Sequence, residues 1–215
     1  MTKPVKIDIV SDVVCPWCVI GLGALDQALA RASDVVSADI SFHPFELNPN
    51  MGPQGQNIAE HIAEKYGSTP EQSAANRQRI KDSAAAFGFA MNTGPESRIY
   101  NTFDAHRLLH WAGEQGRQRA LKERLFRLYF SEGGNPSDPE QLIAAAIDVG
   151  LDAQEARTVL TSGRYADDVR AEERATFSQG VNAVPAFIIN QKYLIMGGQP
   201  PEAFERALRS IAAEE

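Results

Sequence analysis

Asp12-Val13-Val14-Cys15-Pro16-Trp17-Cys18 decides how this chain is read, because it holds both cysteines of a 215-residue sequence. Before it stands an alternating run, Val5-Lys6-Ile7-Asp8-Ile9-Val10, which puts Val5, Ile7 and Ile9 on one face and predicts a strand. After it, Leu22, Leu25 and Leu29 recur at helical spacing. The pair therefore lies where a strand hands over to a helix, and a Cys-x-x-Cys in that place signals a redox site. Pro16 suits the first helical turn, where its missing N–H forfeits no hydrogen bond, so the helix is predicted to begin near Cys15.

Working outward, Ser37–Glu46 is a second strand candidate, with Ile40 and Phe42 at period two. His43-Pro44 weakens its end, since proline cannot serve a central ladder. Leu47-Asn48-Pro49-Asn50-Met51-Gly52-Pro53 is a turn-rich exit. From there to about residue 180 the pattern is helical and rich in Ala, Arg, Glu and Gln. Thr69-Pro70-Glu71-Gln72 carries a cap, a proline at the first helical position and a capping-box Gln. Ser137-Asp138-Pro139-Glu140 and Asp152-Ala153-Gln154-Glu155 read as further helix starts, and roughly six helices are predicted in this block. Alternation returns at Val184–Ile189, Asn190-Gln191 is a tight turn, and Lys192–Met196 is the paired strand. A last helix carries Phe204, Leu208 and Ile211 on one face. Such short strands cannot bury themselves alone. The economical solution is an α/β fold with one sheet built from both chain ends, residues 1–53 plus 180–215, and a helical insertion over 54–179.

Formal net charge is −7, which argues against a nucleic-acid binder. No run reaches the ~18 apolar residues of a membrane span. The first apolar run is short and broken by Lys6 and Asp8, unlike a secretory leader, so a cytoplasmic location is expected. In a reducing compartment a close cysteine pair is catalytic, redox-sensing or metal-binding.

A thiol attacks only as thiolate, and a free cysteine with a pKa near ~8.5 is little ionised at neutral pH. A sulfur at a helix N-terminus sits beside unpaired backbone N–H groups and the positive end of the dipole, both of which favour the anion. Cys15 is thus read as the nucleophile and Cys18, one turn later, as the resolving thiol. Pro16 restricts the turn, and Trp17 offers a contact surface beside Cys15. Two incidental buried cysteines, or a structural zinc site, are the competing readings. Zinc needs four ligands, and the only further pair, His106-x-x-x-His110, stands far away in sequence, so no metal is expected. No Gly-rich phosphate loop follows a strand, so no nucleotide cofactor is expected.

Other polar residues receive ordinary readings. His43 is structural, and His106 and His110 share a helical face with Ile99 and Phe103 as hydrogen-bonded lining residues. Arg117, Arg119, Lys122, Arg124 and Arg127 form a basic stretch interrupted by acids, read as solvated helix surface, as is Glu172-Glu173-Arg174. Tyr165, Val169 and Phe177 are spaced as a core stripe.

Four segments together carry a resemblance. They are Ile9 through Cys18; Pro44-Phe45-Glu46-Leu47-Asn48-Pro49; Asn101-Thr102-Phe103-Asp104-Ala105-His106-Arg107; and Gly180-Val181 through Val184-Pro185-Ala186-Phe187. With them the chain resembles the FrnE-like branch of the DsbA family over nearly its whole length. The resemblance implies a thioredoxin fold with a large all-helical insertion. It implies protein dithiol–disulfide oxidoreductase or isomerase activity, in many members in the cytoplasm. Val184-Pro185 is similar to the family's cis-proline, whose preceding residue presents backbone to a substrate strand. The segment Asn182-Ala183 before it is absent from shorter relatives. Where the periplasmic enzyme has a buried acid six residues before the first cysteine, this chain has Ile9. Asp8 and Asp12 are the nearest acids, and Asp12 is either a helix-entrance residue or a proton handler.

The expected site is Cys15 and Cys18 for catalysis, with Pro16, Trp17, Val184 and Pro185 shaping the substrate groove. The resemblance adds Phe103 and His106 as cleft lining, on a helix facing the cysteines. No cofactor is expected beyond the redox-active disulfide, with glutathione the candidate co-substrate. Partners would be protein disulfides or dithiols, or glutathione. Two other functions share the field. Kappa-type glutathione transferases and 2-hydroxychromene-2-carboxylate isomerases have this fold but commonly a Ser at the motif, and a redox-sensing or chaperone-like binding module would need no turnover.

Overall fold

The computed structural model of the chain describes residues 2–214. Along the chain, β1 (Lys3–Ser11), α1 (Pro16–Arg31) and β2 (Val36–Pro44) come first. Then follow β3 (Gln56–Asn57), α2 (Ile58–Tyr66), α3 (Pro70–Ala85), β4 (Arg98–Ile99), α4 (Phe103–Glu114) and α5 (Gln118–Phe126). A π-helical turn at Arg127–Ser131 precedes α6 (Pro139–Asp148), α7 (Ala153–Thr161) and α8 (Ala166–Ser178). β5 (Ala186–Ile189), β6 (Tyr193–Met196) and α9 (Pro201–Glu214) follow.

The main sheet has the order β2-β1-β5-β6. β2 runs parallel to β1, from Lys3 opposite Val36 to Ser11 opposite Pro44. β5 pairs antiparallel with β1 on its other side, and β6 antiparallel with β5. The sheet is thus made from both ends of the chain, as the returning alternation predicts. Pro44 is tolerated because β2 is an edge strand. That edge is partly closed: Phe42 N donates to Gln118 Oε1 and Gln118 Nε2 donates to Phe42 O, both at 2.9 Å. One side-chain amide here satisfies an exposed edge and pins α5 alongside it. Asn190, Gln191 and Lys192 connect β5 to β6, with Asn190 and Gln191 in the left-handed region at φ 51° and 56° and Lys192 N donating to Ile189 O at 3.1 Å.

The predicted helix starts are all present. Thr69 and Gln72 form a reciprocal capping box, and the carboxylates of Asp138 and Asp152 accept from the first-turn amides of α6 and α7. Seven α-helices, against the roughly six predicted, fill the interval between the two strand groups, with Gly116 at φ 66° in the turn between α4 and α5. The β3–β4 pair is too short to show alternation and was not expected. Phe177 departs from the predicted core stripe: Val169 is buried, but Phe177 is 68% exposed. One apolar core joins the sheet and α1 to the inserted helices, with Ile7, Ile9 and Leu25 in the same cluster as Leu108, Leu121, Leu125 and Leu142. Among the described residues, no helix is long and apolar enough to cross a membrane.

Close approach fixes α1 over the β5 strand. A Cβ on Gly21 would stand 2.9 Å from Phe187 Cζ and 3.2 Å from Pro185 Cγ. Phe187 is fully buried and cannot give way. Gly21→Val should therefore lose about 1–3 kcal/mol of folding stability through overpacking, read from urea denaturation midpoints.

Candidate active site

The turn before α1 is built to present Cys15. Cys15 N donates to Asp12 O at 3.2 Å, and Cys18 N donates back to Cys15 O at 3.1 Å. Cys15 is the residue that caps α1, in extended conformation, with Pro16 at the first helical position as expected. Its Sγ lies 3.8 Å from the carbonyl oxygen of Val184, across 169 residues of sequence. The Val184–Pro185 bond is cis. Both cysteines are free thiols.

Cys15 opens onto a cleft of about 690 Å³. Pro16, Trp17 and Val184 line it with Cys15, and apolar residues of α2 and α3, among them Ile62 and Ile80, form the facing wall. The Arg79 guanidinium from α3 lies 5.7 Å from the Trp17 ring. Cys18 is outside the lining, although the two cysteines are equally buried, each 3% exposed. Pro185 stands behind Val184, against Gly21 of α1.

Phe103 and His106 do not line the cleft, which corrects the expectation that α4 covers the cysteines. Phe103 lies under the Arg170 guanidinium, 4.0 Å from it. His106 is buried, donates from Nε2 to Phe45 O at 3.1 Å, and comes within 3.5 Å of Asp12 Oδ1. Of the face that helical periodicity picked out on α4, His106 is buried while Phe103 and His110 are half-buried. Periodicity could not tell that this face packs behind the pair while α2 and α3 take the place of the lid.

A buried charged cluster lies behind the cysteines. Asp12 is fully buried; its Oδ2 accepts from Leu47 N at 2.8 Å and its Oδ1 from Val14 N at 3.5 Å. Burial alone would raise its carboxyl, but His106, the Leu47 amide and Lys122 outweigh burial and hold it below the usual carboxylate range. Lys122 is also fully buried. Its Nζ donates to Ser11 O at 3.3 Å and lies 5.9 Å from the Phe42 ring and 5.3 Å from the Phe126 ring. Burial lowers its pKa to about 8, against the opposing pull of Cys18, Asp12 and Cys15. The Cys18 thiol is pushed well above its ordinary value, first by burial and then by the neighbouring Cys15, with Lys122 opposing. Cys15 thus lines the cleft and Cys18 does not, and the Cys18 thiol holds its proton more tightly than an ordinary thiol.

Lys122 corrects the reading of residues 117–127 as solvated surface. A signal for its burial was present. Gln118, Leu121, Lys122, Leu125 and Phe126 fall at i, i+3, i+4, i+7 and i+8, so Lys122 sits on the apolar stripe of α5. Glu172 is corrected likewise: it bridges His43 and His110, each at 2.9 Å.

The same architecture recurs in known proteins. A probable DsbA oxidoreductase from Streptomyces coelicolor is 35% identical, with a TM-score of 0.91 over 98% of this chain and 91% of that one. The YwbO protein of Bacillus subtilis is 28% identical over 205 residues, 95% of this chain and 96% of its own. The cytosolic disulfide reductase DsbM of Pseudomonas aeruginosa shares the fold, with a TM-score of 0.66 at 17% identity over 98% of this chain and 100% of that one. The family model of the DSBA-like thioredoxin domain matches residues 6–209, so the sheet, α1 and the helices between the strand groups all fall within it. The chain belongs to the DSBA-like thioredoxin domain family.

Proposed function

We propose that this oxidoreductase-family protein exchanges disulfides with protein or small thiol substrates through Cys15 and Cys18. The supporting observation is the asymmetry of the pair: the two thiols are equally buried, but Cys15 lines the cleft with its Sγ 3.8 Å from Val184 O, while Cys18 is outside the lining. In the reducing direction the Cys15 thiolate attacks one sulfur of a substrate disulfide. That S–S bond breaks, one substrate thiolate leaves, and a mixed disulfide with Cys15 forms. Cys18 then loses its proton and attacks Cys15 Sγ, the mixed disulfide breaks, and the second substrate thiolate leaves. The substrate gains two electrons and the pair becomes a disulfide; oxidation is the same sequence reversed. The backbone of Val184 is the docking edge for the substrate strand, and Trp17 is the apolar contact beside the reacting sulfur.

Glutathione fits as a co-substrate for two reasons. Lys65 and Arg77 stand on the cleft wall and suit the carboxylates of a small peptide thiol. DsbM, which shares the fold, is known with GSH. A cytoplasmic location belongs to the same proposal. The competing transferase or isomerase reading needs no resolving thiol, and this chain carries one at Cys18.

Turnover of a protein disulfide decides between them. With glutathione or dithiothreitol as reductant, the protein is expected to accelerate insulin disulfide reduction well above the reductant alone. Glutathione-dependent conversion of a small electrophile, with no acceleration of insulin reduction, would point to the transferase class instead.

A further inference from the structure

Each resolution of the mixed disulfide must remove a proton from Cys18. The substrate then occupies the cleft on the Cys15 side, and Cys18 has no place in the cleft lining. A second opening lies beside the edge strand β2. It is a narrow cavity of about 10 Å³, on the scale of a single water molecule. The buried polar members of its lining are Lys122 and His106, the residues that stand behind the cysteines, with Phe42, Pro44 and Leu109 buried beside them. Its partly exposed titratable members are His43, His110 and Glu172.

Those three are tied together and to β1. His43 Nδ1 lies 2.9 Å from Glu172 Oε2, and its Nε2 lies 3.1 Å from Asp8 Oδ1. His110 Nδ1 lies 2.9 Å from Glu172 Oε1. Ionised carboxylates only accept, so His43 donates from both ring nitrogens when both bonds are made, and is then an imidazolium. Lys6 Nζ pairs with Asp8 at 3.2 Å, and the Tyr165 ring lies 4.9 Å from that of His110. With Lys122, His106 and Asp12 on the inner side, these are the titratable groups that face the cluster. Burial alone would lower His43, but Glu172 and Asp8 outweigh it and hold it above its ordinary value. Burial would raise Glu172, but His43 and His110 hold it below its own.

We propose that His43, Glu172 and His110 form a proton port for the cysteine pair, linked to Cys18 through the cavity that Lys122 and His106 line. The port rests on the dithiol reading given above. As the Cys18–Cys15 bond forms and the bond to substrate breaks, the substrate thiolate takes its own proton in the open cleft. His43, an imidazolium between its two carboxylates, gives a proton to buffer, and the Cys18 proton then passes by way of the Asp12–His106–Lys122 group and a water in the cavity to refill it. In the reverse direction the port delivers it.

The test is a stopped-flow reaction of the reduced protein with a symmetric aromatic disulfide whose released thiol absorbs. The first phase reports attack by Cys15 and the second reports resolution by Cys18. At pH 7 in dilute buffer, His43→Ala and Glu172→Gln should leave the first phase unchanged and slow the second on the order of 10-fold. Imidazole added to His43→Ala should restore the second phase in proportion to its concentration. Glu172→Gln preserves shape but can accept from only one of the two histidines, so its changed pH profile carries the test if His43→Ala folds poorly. A second phase indistinguishable from wild type in both variants, or a slowing in His43→Ala that imidazole does not reverse, would overturn the port. Absence of both phases in the wild type would remove the dithiol reading and the port with it.

Discussion

Cys15→Ser is expected to bring catalysed disulfide exchange down to the rate of the added reductant alone. A serine hydroxyl does not displace a thiolate from a disulfide, so no part of the catalysed route remains. The loss should come without unfolding. The substitution exchanges one small buried atom for another, the Val184 carbonyl remains available as an acceptor, and stability should change by no more than about 1 kcal/mol. Cys18→Ser should behave differently. Its first attack proceeds at the wild-type rate, because Cys15 alone faces the cleft, but the second step has no resolving sulfur. Insulin reduction then depends on external thiols to release the adduct. Steady-state rates at two glutathione concentrations separate the variants: Cys15→Ser shows no enzyme-dependent part at either, and Cys18→Ser shows one that rises with glutathione.

Lys122→Met has the second large effect, and its two consequences have opposite sign. The protonated amine is the one cation whose charge opposes the raised pKa of Cys18 among the causes acting on that thiol. Without it the Cys18 thiolate is harder to form, and a rise of about one pKa unit makes resolution at pH 7 ~10-fold slower. Folding should gain. Methionine fills the space between Phe42 and Phe126 without a charge, and exchanging a buried ion for an apolar side chain is often stabilising by ~1–4 kcal/mol. Asp12 keeps the Leu47 amide and His106 as partners, so it is not stranded.

The pH dependence follows from the direction of each shift. Lys122 has its pKa lowered to about 8, and an unfolded lysine titrates near ~10.4. Between those values the unfolded chain holds a proton that the folded protein has released, so this group makes stability rise with pH across that window. Below it the cost of the buried charge is fully present. Cys18 acts the other way: its raised value adds stability that is complete below the unfolded thiol pKa and is lost as pH rises through the folded one. Comparing Lys122→Met with wild type at each pH isolates the lysine. The variant's stability advantage in urea denaturation should be largest near pH 7 and shrink toward pH 10. A variant that loses stability along with activity would make Lys122 a structural residue only.

The legible parts of this chain are those fixed by local pattern. Alternation over Val5–Val10 and again from Val184 gave away the two strand groups that form one sheet. Pro16 after Cys15 placed the start of α1, and Thr69, Asp138 and Asp152 marked three further helices through capping chemistry that needs only neighbours. What stayed hidden depends on which surfaces meet. α2 has no buried residue, so its apolar side chains could not be assigned to a core or a cleft until α3 and the cysteine turn were placed around them. His43 and Glu172 are 129 residues apart, and each read alone as an unremarkable polar residue. Lys122 looked solvated because its neighbours in sequence are basic, while its neighbours in space are Phe42, Phe126 and Ser11. Ile9 is an ordinary core residue, and the fully buried carboxylate near the pair is that of Asp12 three residues later.

The central claim is that Cys15 alone attacks and Cys18 alone resolves. Its most direct test is peptide mass mapping of the adduct formed when the Cys18→Ser variant meets a protein disulfide. One substrate chain joined to Cys15 through a bond that dithiothreitol cleaves is expected, with no adduct from Cys15→Ser under the same conditions. An adduct at Cys18 in Cys15→Ser, formed as fast as the Cys15 adduct in Cys18→Ser, would contradict it.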